Sequence, residues 1–353
     1  MLGGGGAIIG AGRIQFVHDY DDIISVENLL EAWMEFIGGK SGKKDVQEFS
    51  LHLMDNILTL HRELADGTYH HGEYHAFNIS DPKPRSIHKA TVRDRLVHRA
   101  LYRILYPFFD KTFIADSYSC RVGKGTHRAI KRFAFFASKV GRNNTRTVWI
   151  LKCDIRKFFA SIDHRILKEI LRKHISEMHI LRLLDTVIDS FFTAEGKGLP
   201  LGNLTSQLFA NVYMNEFDQF AKHTLKEKQY VRYADDFVFL SDHRKHLEKQ
   251  IPLIRDFLSQ KLAIELHPCK LFLKTLSSGV DFLGWVHFSD HRVLRKTTKR
   301  RMVKRIAIHP TKGTLASYMG LLKHGNTKKL RCRISKYPKD LNGIRQFEDD
   351  LLG

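Results

Sequence analysis

Two adjacent acids, Asp235 and Asp236, sit in the stretch QYVRYADDFVFLS, and a third, Asp154, ends the apolar run RTVWILKCD far upstream. Like charges held side by side repel, and a turn seldom needs two carboxylates, so the pair points to bound cations. Three carboxylates converging from two strands suit two magnesium ions, which take oxygen ligands and leave positions for water and substrate phosphates. The chemistry served by such a set is metal-assisted transfer at phosphorus. A solvated Asp-Asp turn beside an unrelated strand-end Asp is the plainer alternative.

These acids need strands to hold them. The run RTVWIL is β-branched and aromatic, which predicts a buried strand carrying Asp154 at its tip. The segments on either side of Ala234, Asp235 and Asp236 read as two short strands closing a tight hairpin. Sheet pairing is what could bring Asp154 beside that turn. After Asp154, SIDHRILKEILRKHI offers Ser161 or Asp163 as an N-cap and Ile166, Leu167, Ile170 and Leu171 as the apolar face of a helix. Between the acid segments, GKGLPLGNLTSQLFANVYMNEFDQF begins as a loop with Gly196, Gly198, Pro200 and Gly202, then turns helical along Leu204, Leu208 and Val212. A loop feeding a helix places backbone groups where phosphates or bases can meet them.

Upstream, Leu29, Leu30, Trp33, Met34 and Ile37, then Phe49, Leu53, Ile57 and Leu60, predict two packed helices between Val26 and Ala65. Residues 74 to 92 alternate around a Pro-Lys-Pro turn and predict a β-hairpin whose tip carries Lys83 and Arg85. Helical character resumes through Val97, Leu101, Ile104 and Leu105. The glycine-rich first 20 residues are expected to be loosely attached. Beyond residue 290 the basic runs RKTTKRRMVKR and KKLRCR look helical.

The net charge of +20 on 353 residues favours a polyanionic partner through counterion release. Basic residues are spread along the chain rather than gathered in one amphipathic segment, which argues for nucleic acid over a membrane. The four cysteines are widely separated and read as reduced thiols of a cytoplasmic protein. No stretch approaches the roughly 18 apolar residues of a membrane span. GKGT around Lys124 lacks the phosphate-loop pattern, because Lys124 is followed by Gly125 rather than Ser or Thr. The histidines of TYHHGEYH have no acidic or cysteine partners at metal-ligand spacing.

In order, LKCDIRKFFASID, GLPLGNLTSQ, YADD and FLGW resemble motifs of the reverse transcriptases, over roughly Gly67 to Arg300. The resemblance implies an α+β right-hand polymerase. Residues 1–66 would be an N-terminal extension with helices, 67–145 the fingers, 146–290 a palm with an antiparallel sheet, and 291–353 a helical thumb. It also implies that Asp154, Asp235 and Asp236 hold two Mg2+ ions, or Mn2+ in their place, with the Ile155 backbone helping to hold the second metal. Phe159 matches the bulky residue that crowds a ribose 2′-hydroxyl, and so implies deoxynucleotide substrates. Arg85, with Lys83 as a second contact, matches the basic position that meets the triphosphate. Lys270 matches a lysine able to protonate pyrophosphate, and Arg121 lies in a segment that runs near template or nucleotide in the family.

At the nucleotide-facing loop, Leu201, Gly202 and Gln207 in LGNLTSQ are similar to the diversity-generating retroelement type, which copies a template RNA with errors at adenines. An aliphatic Leu201 cannot donate a hydrogen bond to orient the nucleotide sugar. That type implies a template RNA, an RNA/DNA duplex, dNTPs and a small basic accessory protein as partners. Group II intron-like and antiphage-defence reverse transcriptases share the scaffold and stand as alternatives. A non-catalytic RNA-binding scaffold stands as the alternative of another class, although such a module gains nothing from acids facing phosphate.

Overall fold

The computed structural model describes residues 7–10, 13–80 and 84–335. The first of these are paired rather than loose. Strands β1 (Ala7–Gly10) and β2 (Arg13–Phe16) form an antiparallel ladder, and Phe16 is buried with its ring edge-on to Phe108. Residues 1–6 and 11–12, where most of the glycines expected to be loosely attached fall, lie outside the described residues.

Helices α1 (Tyr20–Ile24), α2 (Val26–Ile37), α3 (Lys44–Leu51) and α4 (Leu53–Ala65) follow. The stripe from Phe49 to Leu60 is thus shared by two helices, because His52 leaves the helical region at φ −122°, ψ 40°. Met34, expected in the apolar face, is exposed. Strands β3 (His75–Ile79) and β4 (Arg85–Lys89) pair as the expected hairpin, with Ile79 opposite Arg85. Lys83 lies outside the described residues. Then come α5 (Val92–Thr112) and α6 (Thr126–Val140). The Thr91 hydroxyl caps α5 by accepting from the Asp94 amide at 3.1 Å.

The centre of the molecule is a four-stranded antiparallel sheet in the order β6-β7-β5-β8, built from β5 (Trp149–Asp154), β6 (Tyr230–Tyr233), β7 (Asp236–Ser241) and β8 (Phe272–Thr275). Strand alternation gives it two apolar faces. Leu151, Cys153, Phe237 and Phe239 face a core shared with α8 (His164–Arg172), α9 (Met178–Asp189), α10 (Leu204–Gln219) and α11 (Arg244–Leu262). Ile150, Val238 and Leu240 face α6 on the other side. A one-turn helix, α7 (Phe158–Ser161), links β5 to α8, whose N-terminus is capped by Asp163 accepting from the Ile166 amide at 3.1 Å.

A second sheet, β9 (Val280–Phe282), β10 (Trp285–His287) and β11 (Arg292–Leu294), leads into α12 (Lys296–Ile308), α13 (Lys312–Leu322) and α14 (Lys328–Ser335). Leu283 and Gly284 both have positive φ in the two-residue β9–β10 turn, the geometry that matches the twist of a tight hairpin. Trp285 is the centre of the small core that joins this sheet to the three helices. Among the described residues no helix is long and apolar enough to cross a membrane.

Candidate active site

The β5/β7 ladder ends by placing Asp154 directly opposite Asp236. Asp235 occupies the two-residue turn between β6 and β7, next to Ala234, whose φ of 55° is left-handed. The Ile155 amide donates to the Asp235 carbonyl at 3.2 Å, which ties the tip of β5 to the turn. The Ile155 side chain is buried in the main core, so only its backbone is available to the site. All three acids are therefore gathered at one end of the central sheet.

The turn is held from beneath by a buried charge network that local sequence reading did not identify. Arg232 is wholly buried and donates from Nη1 to the Ala234 carbonyl at 3.1 Å. Its Nε and Nη2 donate to the two oxygens of buried Asp218 at 2.8 and 2.6 Å, and Nη2 also reaches the Ser117 hydroxyl at 3.0 Å. The Tyr230 hydroxyl donates to Asp218 as well, at 2.7 Å. An arginine inside the otherwise apolar strand YVRY is the signal that was available.

Each strand acid has a lysine. Lys270 Nζ donates to Asp154 Oδ1 at 2.8 Å, and Lys152 Nζ lies 3.1 Å from Asp236 Oδ2 while donating to the Asp281 carbonyl at 2.9 Å. Lys152 was also unforeseen, although strand parity puts it on the same face as Asp154 two residues later. Burial, reinforced by the charges of Asp154 and Asp235, pushes the Asp236 carboxyl up to about 7 against the pull of Lys152. Asp235 is raised by burial first and Asp154 second, opposed by Lys270 and Arg85. Arg85 at the start of β4 thus stands within electrostatic range of the turn.

A cation fits this donor set. Asp236 Oδ1 is buried without a hydrogen-bond partner, and burial first, with the neighbouring acids second, holds the Asp235 and Asp236 carboxyls above their ordinary range. Among the described residues no group of three or more His, Cys, Asp or Glu is by itself placed to hold a metal ion, so a cation here would need further oxygen ligands. An open set of carboxylates, completed by phosphate and water, is the habit of magnesium sites.

Phe159 is half-buried on α7, edge-on to Phe158 at 5.5 Å, and its carbonyl accepts from the Leu199 amide at 2.8 Å. The Leu201 carbonyl accepts from His88 of β4 at 2.9 Å, so the glycine loop is stitched to the hairpin that carries Arg85. Gly202 is required there: its φ is 111°, and a Cβ would lie 2.8 Å from Ile87. Gly202 and Gln207 face a different cavity of about 200 Å³, lined also by Phe36, Lys40, Arg95 and Arg99. Arg121 is consumed structurally, donating to Asp110 and to the carbonyls of Ile114 and Ser117 at 2.6 to 3.0 Å, with its side chain 5% exposed. Of the histidines of TYHHGEYH, His71 bonds His98 at 3.0 Å in the packing between the hairpin and α5.

The family model described as "Reverse transcriptase (RNA-dependent DNA polymerase)" matches residues 80–287, which include all three acids and the glycine loop. Protein YkfC of Escherichia coli (strain K12) is 27% identical over 287 residues, covering 69% of this chain and 72% of its own length. The group II intron-encoded protein LtrA of Lactococcus lactis subsp. cremoris is 23% identical over 324 residues, and the match spans 71% of this chain but only 52% of LtrA. Among solved structures, telomerase from Candida albicans with a fragment of telomeric RNA aligns at a TM-score of 0.48 and 13% identity, over 79% of this chain and 59% of that one. With the family model spanning more than half of its length, the chain belongs to the reverse transcriptases, the RNA-dependent DNA polymerases.

Proposed function

We propose that this reverse transcriptase copies a template RNA into cDNA through two-metal nucleotidyl transfer centred on Asp154, Asp235 and Asp236. The observation that carries the reading is the cross-strand pairing of Asp154 with Asp236 beside the Asp235 turn. Reverse transcriptases work with divalent metal ions. Two Mg2+ ions held by the three acids and the Ile155 backbone would activate a primer 3′-hydroxyl and offset charge on the leaving pyrophosphate. Arg85 pairs with the triphosphate of the incoming dNTP, and Lys270 Nζ supplies a proton to the departing pyrophosphate. The Phe159 ring closes the space a ribose 2′-hydroxyl would need. In this reading residues 67–145 are the fingers, 146–290 the palm and 291–335 the described part of the thumb. The basic helices α12 and α14 bind phosphates of the template–primer duplex. The test is extension of a DNA primer on an RNA template with Mg2+, which Asp235→Asn abolishes.

The diversity-generating type is the subtype favoured by Leu201 and Gln207 in LGNLTSQ. In that reading a small basic accessory protein helps to bind the template RNA. The group II intron-like reading has its own observation, the likeness to LtrA. Sequencing cDNA made on a defined RNA separates them: errors concentrated at template adenines support the first, and evenly accurate copying supports the second.

A further inference from the structure

The end of the central sheet remote from the acids is basic. A cavity of about 330 Å³ opens where β6 begins and β7 ends, and it is lined by Lys139, Arg142, Arg146, Lys226 and Lys228. All five are exposed. The carboxylates that share the cavity are already engaged, Asp242 with Arg146 at 3.2 Å and Glu227 with His246 at 2.6 Å. Lys139, Arg142, Lys226 and Lys228 form no ion pair among the described residues, in a molecule where many other surface cations are matched. Uncompensated cations around one cavity repel one another and favour a polyanion.

A second cavity of about 750 Å³ lies on the other side of the 141–146 loop. Its wall includes Phe288 stacked on His291, with centroids 4.7 Å apart and planes at 11°, Asp290 bonded to His291 at 2.7 Å, and Asn143 and Asn144, the Asn143 amide oxygen accepting from the Ser138 hydroxyl at 2.7 Å. The loop itself divides the two cavities. Arg142, Asn143 and Asn144 are three consecutive non-glycine residues at φ 45°, 55° and 70°, an uncommon left-handed run. Arg142 lines the cationic cavity, whereas Asn143 and Asn144 line the aromatic one.

Phosphate-binding cations beside a flat aromatic stack with amide hydrogen-bonding groups are the two components of single-strand nucleic-acid recognition. We propose that the 141–146 loop and its two cavities form a second binding surface, for single-stranded nucleic acid, separate from the acids. β5 and β7 each have six residues, so roughly 17 Å of strand at about 3.3 Å per residue separates the two ends of the sheet. The surface needs no catalysis and therefore stands whether or not the acids carry out polymerisation.

The experiment compares the full chain with a K139Q/R142Q/K226Q/K228Q variant and with Phe288→Ala. Binding of an unstructured 30-nucleotide RNA, and of a DNA of equal sequence, is read by fluorescence anisotropy over a salt series. Extension of a short blunt primer–template duplex is read in parallel. The quadruple variant is expected to bind single strands about tenfold or more weakly, with a salt slope smaller by about 3, while extension of the short duplex stays within about twofold. Phe288→Ala is expected to weaken binding with the slope unchanged, as loss of stacking does. Loss confined to RNA identifies the strand as RNA; equal loss with DNA identifies a surface open to either. Unchanged affinity and slope in both variants overturn the proposal. So does a proportionate loss of short-duplex extension, which would mean that the cations serve the catalytic end. Should the quadruple variant fail to fold, Phe288→Ala decides.

Discussion

Asp154 and Asp236 are directly opposed partners on neighbouring antiparallel strands, and the lysines attached to them arrive from different places: Lys152 from β5 itself and Lys270 from just before β8. Cross-strand partners lie about 4.5–5.5 Å apart at Cβ, a spacing at which two carboxylates repel unless positive charge intervenes. The two ammonium groups supply part of that charge in the protein alone. The rest of the chemistry of this end of the sheet follows from how the deficit is met.

The first consequence concerns pH and stability. An Asp236 carboxyl raised to about 7 binds its proton more tightly folded than unfolded. Its stabilising contribution is therefore complete below the ordinary carboxylate range, near pH 4, and is lost as pH rises through about 7. In metal-free protein, Asp236→Asn should gain stability relative to the parent across that window, by at most about 1.4 kcal/mol per pH unit. Urea denaturation at pH 4.5 and 8 measures this. A difference between the two proteins that is constant with pH contradicts the assignment.

Removing the Lys152 ammonium takes away the nearest charge that favours ionised Asp236. Lys152→Met should shift the acid limb of the primer-extension profile upward by about one pH unit, a tenfold loss on that limb that recovers at high pH. Raising Mg2+ should move the limb back down, because the ion and the proton compete for the same oxygens. A pH-independent loss would instead indicate a packing defect.

Arg232 is a positioning residue, acting on the turn through the Ala234 carbonyl and on the fold through Asp218. Arg232→Met leaves a buried carboxylate unpaired and should cost about 3–5 kcal/mol of stability. Replacing both partners, as Arg232→Met with Asp218→Leu, should restore much of that stability without restoring kcat, because the Ala234 carbonyl still lacks its donor. Paired denaturation and single-turnover measurements separate the two effects.

Gly202→Ala places a Cβ against Ile87 at a φ of 111°. The strain should cost about 1–3 kcal/mol, and the loop should partly detach from β4. The expected kinetic signature is a raised KM for dNTP, since the same hairpin carries Arg85. An unchanged KM would show that the loop-to-hairpin contact does not tune nucleotide binding.

Much of this arrangement is legible in the residue order. The β-branched and aromatic run RTVWIL places Asp154 at a strand tip, and the short apolar strands around ADD place Asp235 in a hairpin turn, because both signals are local. The pattern of Val26–Ala65 predicts two helices, whereas His52 divides the segment further; no glycine or proline marks that break. The role of Arg232 depends on Asp218 and Ser117, distant in sequence, and no window of local pattern contains all three. Lys152 was legible through parity alone, yet its partner Asp236 becomes a neighbour only once the β5/β7 register is known. The cationic cavity at the far end of the sheet is likewise invisible to a linear scan, since its residues come from α6, the loop after it and the segment before β6.

On the proposed function, Asp154, Asp235 and Asp236 carry out nucleotidyl transfer. Single-turnover extension of a DNA primer on an RNA template with Mg2+, comparing the parent with Asp235→Asn at matched RNA affinity and matched melting temperature, tests it most directly. The expected result is a loss of at least about a thousandfold in the extension rate, consistent with removal of a metal ligand from the reacting centre. Extension by Asp235→Asn at the parent rate would contradict it.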